Sequence, residues 1–196
     1  MKDDDDTDAR RTAVDKVGDV SGGESDRALL ILDMGLACVR GSDAVVGAEH
    51  LVRFIQGELR YFRERGRLVI FANTNVDNRG VDVVIPELTP RSDEIRLSLS
   101  APSAFFGTDL DRLLQKHHVR RLTLVGVETH TAVLLTGGDA LARGYDVVVP
   151  EPCVCANDVV AHEAALRLLR TSWPQRSTAQ MSAARPGTDT AMRHEL

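Results

Sequence analysis

A chain of 196 residues, 43% hydrophobic and 27% charged, has the make-up of one globular domain and is too short for two ordinary ones. Its formal charge of −5 argues against a nucleic-acid partner, which needs a basic face, and no apolar run approaches the roughly 18 residues of a membrane span. Cys38, Cys153 and Cys155 cannot all pair and show no CxxC or paired His/Cys spacing, so reduced, buried thiols are expected, with no metal and no cofactor.

Residues 1–26 are polar and acidic, with Asp3 to Asp6 following Met1 and Lys2. They read as a disordered leader rather than a secretory signal, from which a cytoplasmic location is expected. Residues 182–196 mix Ala, Arg, Pro, Gly and Thr without periodicity and read as a disordered tail, leaving 27–181 as the domain. Ala28 to Leu32 is continuously apolar and ends at Asp33, as a buried parallel strand does. Leu51, Phe54, Ile55, Leu59 and Phe62 recur at helical spacing, and Gly66 stops that helix. Leu68 to Phe71 gives a second strand, and residues 74–94, rich in Asp, Asn, Pro and Arg, read as a long irregular insertion. Asp109 to His118 reads as a helix with Thr108 as its N-cap, followed by a strand over Leu122 to Val127. A helix over Thr131 to Arg143 ends at Gly144, and Val147 to Val149 is a fourth strand. Asn157 or Asp158 caps a last helix running to about Arg170, and a short strand is expected near Thr178 to Met181.

Strands alternating with helices at this pace predict an α/β fold: a doubly wound, Rossmann-like parallel sheet with helices on both faces. Ligands of such sheets sit beyond the carboxyl ends of the strands. That directs attention to Asp33, to Asn73, Thr74 and Asn75, and to Val127 through Ala132.

Three ordered motifs then carry a resemblance. Ala28 to Met34 resembles the opening strand of the isochorismatase-like (cysteine hydrolase) superfamily, which ends in Asp. Ser103-Ala104-Phe105-Phe106-Gly107-Thr108 resembles its SAFxGT signature, and Gly126-Val127-Glu128-Thr129, then His162 before Ala164-Ala165-Leu166, continue the match. Most members use an Asp-Lys-Cys triad in which the thiolate attacks the substrate carbon. The resemblance puts Asp33 in the Asp place, Leu99 in the Lys place and Ala132 in the Cys place. Lys2, Lys16 and Lys116 are the only lysines, and Arg96, three residues from Leu99 along a strand, points to the opposite face. The covalent route is therefore lost. The isochorismatase branch, which the chain resembles locally, has a small residue in the Cys place and uses its Asp as a general acid on a vinyl ether.

The catalytic candidates are Asp33 and His130. Desolvation at a strand end is expected to raise the Asp33 pKa, which suits a general acid, and the competing reading is a carboxylate bonded to backbone amides after activity was lost. His130 opens the helix after the third strand, where it either moves protons or caps backbone groups. Asn73, Thr74, Asn75, Leu99, Phe105, Phe106, Glu128, Ala132 and Cys38 are the candidate substrate contacts, Phe105 and Phe106 as core or pocket wall. Cys38, on a loop beyond Asp33, is the one thiol placed to stand in for the missing nucleophile. His162 is expected to make a structural hydrogen bond, and His117 and His118 to be solvated at a helix end. The resemblance also predicts a cis peptide at Val127-Glu128 and a homo-oligomer, dimer or larger.

The expected function is a diverged enzyme using Asp33 for acid-base chemistry on a small enol-ether-like or cyclic metabolite, without a thiol intermediate, in specialised biosynthesis. The alternative is an inactive homologue that binds a ligand or a protein.

Overall fold

The computed structural model describes residues 26–42, 44–74 and 83–171. The expected tail, nearly all of the leader, Asn75 and the strand near Thr178 to Met181 lie outside the described residues. Within the described residues six parallel strands form one sheet: β1 (Arg27–Leu32), β2 (Leu68–Thr74), β3 (Ile95–Leu99), β4 (Arg121–Val127), β5 (Asp146–Val148) and the two-residue β6 (Val154–Cys155). The order is β3-β2-β1-β4-β5, with β6 paired to the end of β4. The doubly wound parallel sheet predicted from the alternation is thus the fold observed.

Among the described residues five α-helices accompany it: α1 (Leu36–Arg40), α2 (Ala48–Glu64), α3 (Leu110–Lys116), α4 (Leu134–Ala142) and α5 (Val159–Thr171). Alternate residues of β1 feed two cores. Ala28, Leu30 and Leu32 join Leu110, Leu114, Ala140 and Leu166 of α3, α4 and α5 on one face. Leu29 and Ile31 join the apolar stripe of α2, Leu51, Ile55, Leu59 and Phe62, on the other. Burial on both faces is why β1 reads as an unbroken apolar run rather than an alternating one.

The chain leaves β1 toward β2 and β3 on one side and later returns to place β4 on the other. The switch point, where such sheets hold ligands, therefore lies between the carboxyl ends of β1 and β4. Leu32 pairs with Gly126 there. A side chain on Gly126 would drive its Cβ into the Leu32 carbonyl, and its φ of +132° already suits glycine alone.

Some expectations need correcting. β3 and β6 did not stand out in the sequence, β3 because polar residues interrupt its apolar ones and β6 because it has only two residues. The helix expected from Thr131 begins instead as a wide, π-type turn over Thr129–Val133 before α4 takes over. Thr108 does not cap by position; Asp109 does, yet the Thr108 hydroxyl accepts the Leu110 amide at 3.2 Å. Of the two caps proposed for the last helix, Asp158 serves, its Oδ1 accepting the Ala161 amide at 2.9 Å. Asn157 instead holds the Val46 amide at 2.7 Å.

Gly126→Ala is expected to cost more than about 3 kcal/mol, because the clash is with backbone that cannot swing away. Urea denaturation of the two proteins measures it, and a loss below about 1 kcal/mol would contradict the close approach.

Candidate active site

The carboxyl ends of β1, β2 and β4 carry the polar groups. Asp33 directly follows β1 in a left-handed conformation, φ 51°, and Glu128 directly follows β4 in the same region, φ 62°. Non-glycine residues seldom adopt this conformation, and those that do cluster at functional sites. Among the described residues, two of the three flank the switch point, and the third, His118, follows α3. The peptide between Val127 and Glu128 is not cis, since the described residues contain no cis bond. The chain turns out of β4 through the positive φ of Glu128 instead.

Asp33 is 8% exposed. Its amide donates to the Ala72 carbonyl at 3.0 Å, which continues the β1–β2 ladder one residue past the strand. Its Oδ1 accepts both the Thr74 amide at 2.6 Å and the Thr74 hydroxyl at 2.8 Å. The sequence showed Thr74 as one of three polar residues after β2; only pairing of β2 with β1 makes it the partner of Asp33. Asn73, beside it, is buried.

Across the switch point, His130 Nδ1 lies 3.6 Å from Glu128 Oε2, both side chains being about one-third exposed. A Glu two residues before a His is no pattern on a regular helix, and the π-type turn is what brings them together. Thr129 between them is fully buried, and its hydroxyl meets His162 Nδ1 of α5 at 2.9 Å. The structural bond expected of His162 is therefore present. His117 and His118 are exposed at the end of α3, as expected.

Leu99, Ala132 and Phe105 lie together in the first core, with exposures of 1%, 3% and 7%. Phe105 stacks on Tyr145 with ring centroids 6.1 Å apart. Phe106, in contrast, is not in the core, being 67% exposed. Cys38 is on α1 rather than on a loop, half-buried against the second core. Cys153 and Cys155 are pushed up to about 12, in each case chiefly by burial, with Glu58 adding to Cys153 and Glu128 to Cys155. Both are protonated and poorly nucleophilic at neutral pH. Among the described residues no three His, Cys, Asp or Glu side chains are placed to hold a metal ion, and no helix is long and apolar enough to cross a membrane.

The Ser103 to Thr108 motif fastens the β3–α3 connection onto α4. Ser103 Oγ donates to Asp139, the Ala104 amide donates to the buried Thr136 hydroxyl at 3.0 Å, and the Thr108 hydroxyl donates back to the Ala104 carbonyl. The Asp139 carboxyl is held below the usual range by the Ser103 hydroxyl and then by Arg143, against some burial.

A model of the isochorismatase domain matches residues 27–184. The chain belongs to the isochorismatase family. It is 25% identical over 162 residues to the isochorismatase family protein YaaI of Bacillus subtilis, covering 74% of this chain and 90% of the relative. It is 30% identical over 144 residues to the streptothricin hydrolase of Streptomyces noursei, covering 69% of this chain but 56% of that enzyme. The crystal structure of an isochorismatase family protein from Desulfovibrio vulgaris superposes with a TM-score of 0.71 at 26% identity, over 76% of this chain and 91% of that one. N-carbamoylsarcosine amidase from Thermoplasma acidophilum gives 0.67 at 25% identity, over 74% and 92%. This kinship supports a hydrolase-type function.

Two outcomes are expected. Thr136→Val leaves the Ala104 amide buried without its acceptor and lowers stability by about 1–3 kcal/mol in chemical denaturation. Native protein treated with iodoacetamide at pH 7.5 retains unmodified Cys153 and Cys155 in peptide mass analysis, whereas denatured protein is labelled at both.

Proposed function

We propose that this family member is a hydrolase that works without a covalent enzyme intermediate, its domain spanning 27–181. Asp33 is its acid-base group and His130 a second proton-handling group. The reading rests on one observation: the Asp33 carboxyl is kept at the switch point, oriented through one oxygen by Thr74, while the position assigned to the nucleophile is Ala132. A carboxyl alone suffices for an enol ether. Asp33 gives its proton to the terminal alkene carbon, water adds to the resulting oxocarbenium carbon, and collapse to a ketone releases the alcohol and returns a proton to Asp33. The substrate class is thus a small enol-ether-like or cyclic metabolite, and specialised biosynthesis is the setting proposed. A cytoplasmic homo-oligomer completes the proposal, its size readable by light scattering.

A second reading has its own support. Leu99, Ala132 and Phe105 are closed into one apolar cluster, as suits a homologue that binds a ligand or protein without turning it over.

Asp33→Asn decides between them. Asparagine keeps an acceptor for both Thr74 donors yet cannot exchange the proton. Turnover of an enol-ether substrate found by screening is expected to fall by at least about 100-fold with the melting temperature preserved, and Cys38→Ala to remain fully active. Unchanged turnover in Asp33→Asn overturns the role of Asp33. Ligand binding with no turnover in the wild type favours the second reading.

A further inference from the structure

On β3, residues alternate between two fates. Ile95, Leu97 and Leu99 face the first core, while Arg96 and Ser98 are exposed on the opposite face of the sheet. On that opposite face a cavity of about 620 Å³ opens between β2, β3 and the 83–90 connection. Its size falls in the range of small-molecule sites, about 300–1,000 Å³. Phe71, Val84, Pro86 and Pro90 give it apolar walls, with Arg96 and Ser98 at the β3 side. Neither Asp33 nor Thr74 borders it, whereas Asn73, the buried neighbour of Thr74 on β2, does.

Charge selects the occupant. Arg96 is the one charged side chain among the described residues that line the cavity. No carboxylate of the described residues lies in ion-pairing range of it, and its guanidinium makes one long hydrogen bond, 3.5 Å from Nη2 to the Pro90 carbonyl. Arg40, Arg63, Arg121, Arg143 and Arg170 are each paired with a carboxylate, while Arg53 and Arg60 have no carboxylate partner among the described residues; what distinguishes Arg96 is that it lines the cavity. A planar guanidinium beside apolar walls matches a carboxylate on an apolar body, which it grips with two parallel N–H donors. We propose that this cavity is a binding site for a small apolar carboxylate, with Arg96 as its anion clamp, separate from the site around Asp33.

The test uses the full chain with benzoate as probe and amide NMR shifts as readout. Benzoate up to about 10 mM, the affinity floor for a ligand of its size, is expected to give saturable shifts at Phe71, Val84 and Ser98. Benzyl alcohol and benzylamine should bind at least tenfold more weakly. Arg96 is exposed, so Arg96→Gln should fold normally and lose at least tenfold in benzoate affinity, while Arg96→Lys retains part of it. Asp33→Asn should bind benzoate like the wild type, which separates this proposal from the proposed function. Absence of saturable shifts at the cavity residues overturns the proposal, as do equal affinities for benzoate and benzylamine or unchanged affinity in Arg96→Gln. Shifts that follow protein concentration rather than benzoate would assign the face to a second copy of the chain and likewise overturn it.

Discussion

The strand β1 is paired along both edges and covered on both faces, so its four large residues, Leu29, Leu30, Ile31 and Leu32, are withdrawn completely from water. At about 1.5–3 kcal/mol each, they contribute on the order of 6–12 kcal/mol of gross burial, an upper figure because the unfolded chain is itself partly collapsed. The rest of the molecule is arranged around that burial. α2 must cover one face and α3 to α5 the other, and β2 and β4 must satisfy the backbone at the two edges. Close pairing of Leu32 with Gly126 then fixes where the polar residues just past the strands come to rest.

This arrangement explains why the backbone at the candidate site is strained. Asp33 and Glu128 leave adjacent strands through left-handed turns, which bend the chain sharply at the switch point. Asp33 is held by the two donors of Thr74, and Glu128 lies 3.6 Å from His130 Nδ1. The Thr129–His162 bond ties the same corner to α5, so the site draws on β1, β2, β4 and α5 together.

Leu99 and Ala132, which the sequence resemblance puts in the lysine and cysteine places, are part of the packing. Leu99 and Ala132 sit among the residues that seal the sheet to α3 and α4, and the Ser103 to Thr108 clamp holds that seal shut from outside. The same motif that identifies the family thus has a stability role that does not depend on chemistry. Asp33 is held by polar contacts with Thr74 rather than by apolar packing, and the proposed function is placed on its carboxyl.

Much of this was legible in the chain. The apolar run of β1, the periodicity of α2 and the acidic residue at a strand end each express one local physical demand: burial on two faces, burial on one stripe, or exit from a strand. Those demands determined the α/β class. β3 was hidden because Arg96 and Ser98 face outward and break its apolar run, and the exposure of Phe106 was hidden because adjacent aromatics read alike in sequence. The partners of the site residues were not legible at all. Thr74 reaches Asp33 across two strands and 41 positions, His162 reaches Thr129 across 33, and Arg96 meets the walls of a cavity built from two other segments. Sequence by itself determined which groups the chain possesses and which face of each element is apolar, because those are local properties. Only the tertiary structure decided which groups meet, because strand order and crossover bring together residues that share no local pattern.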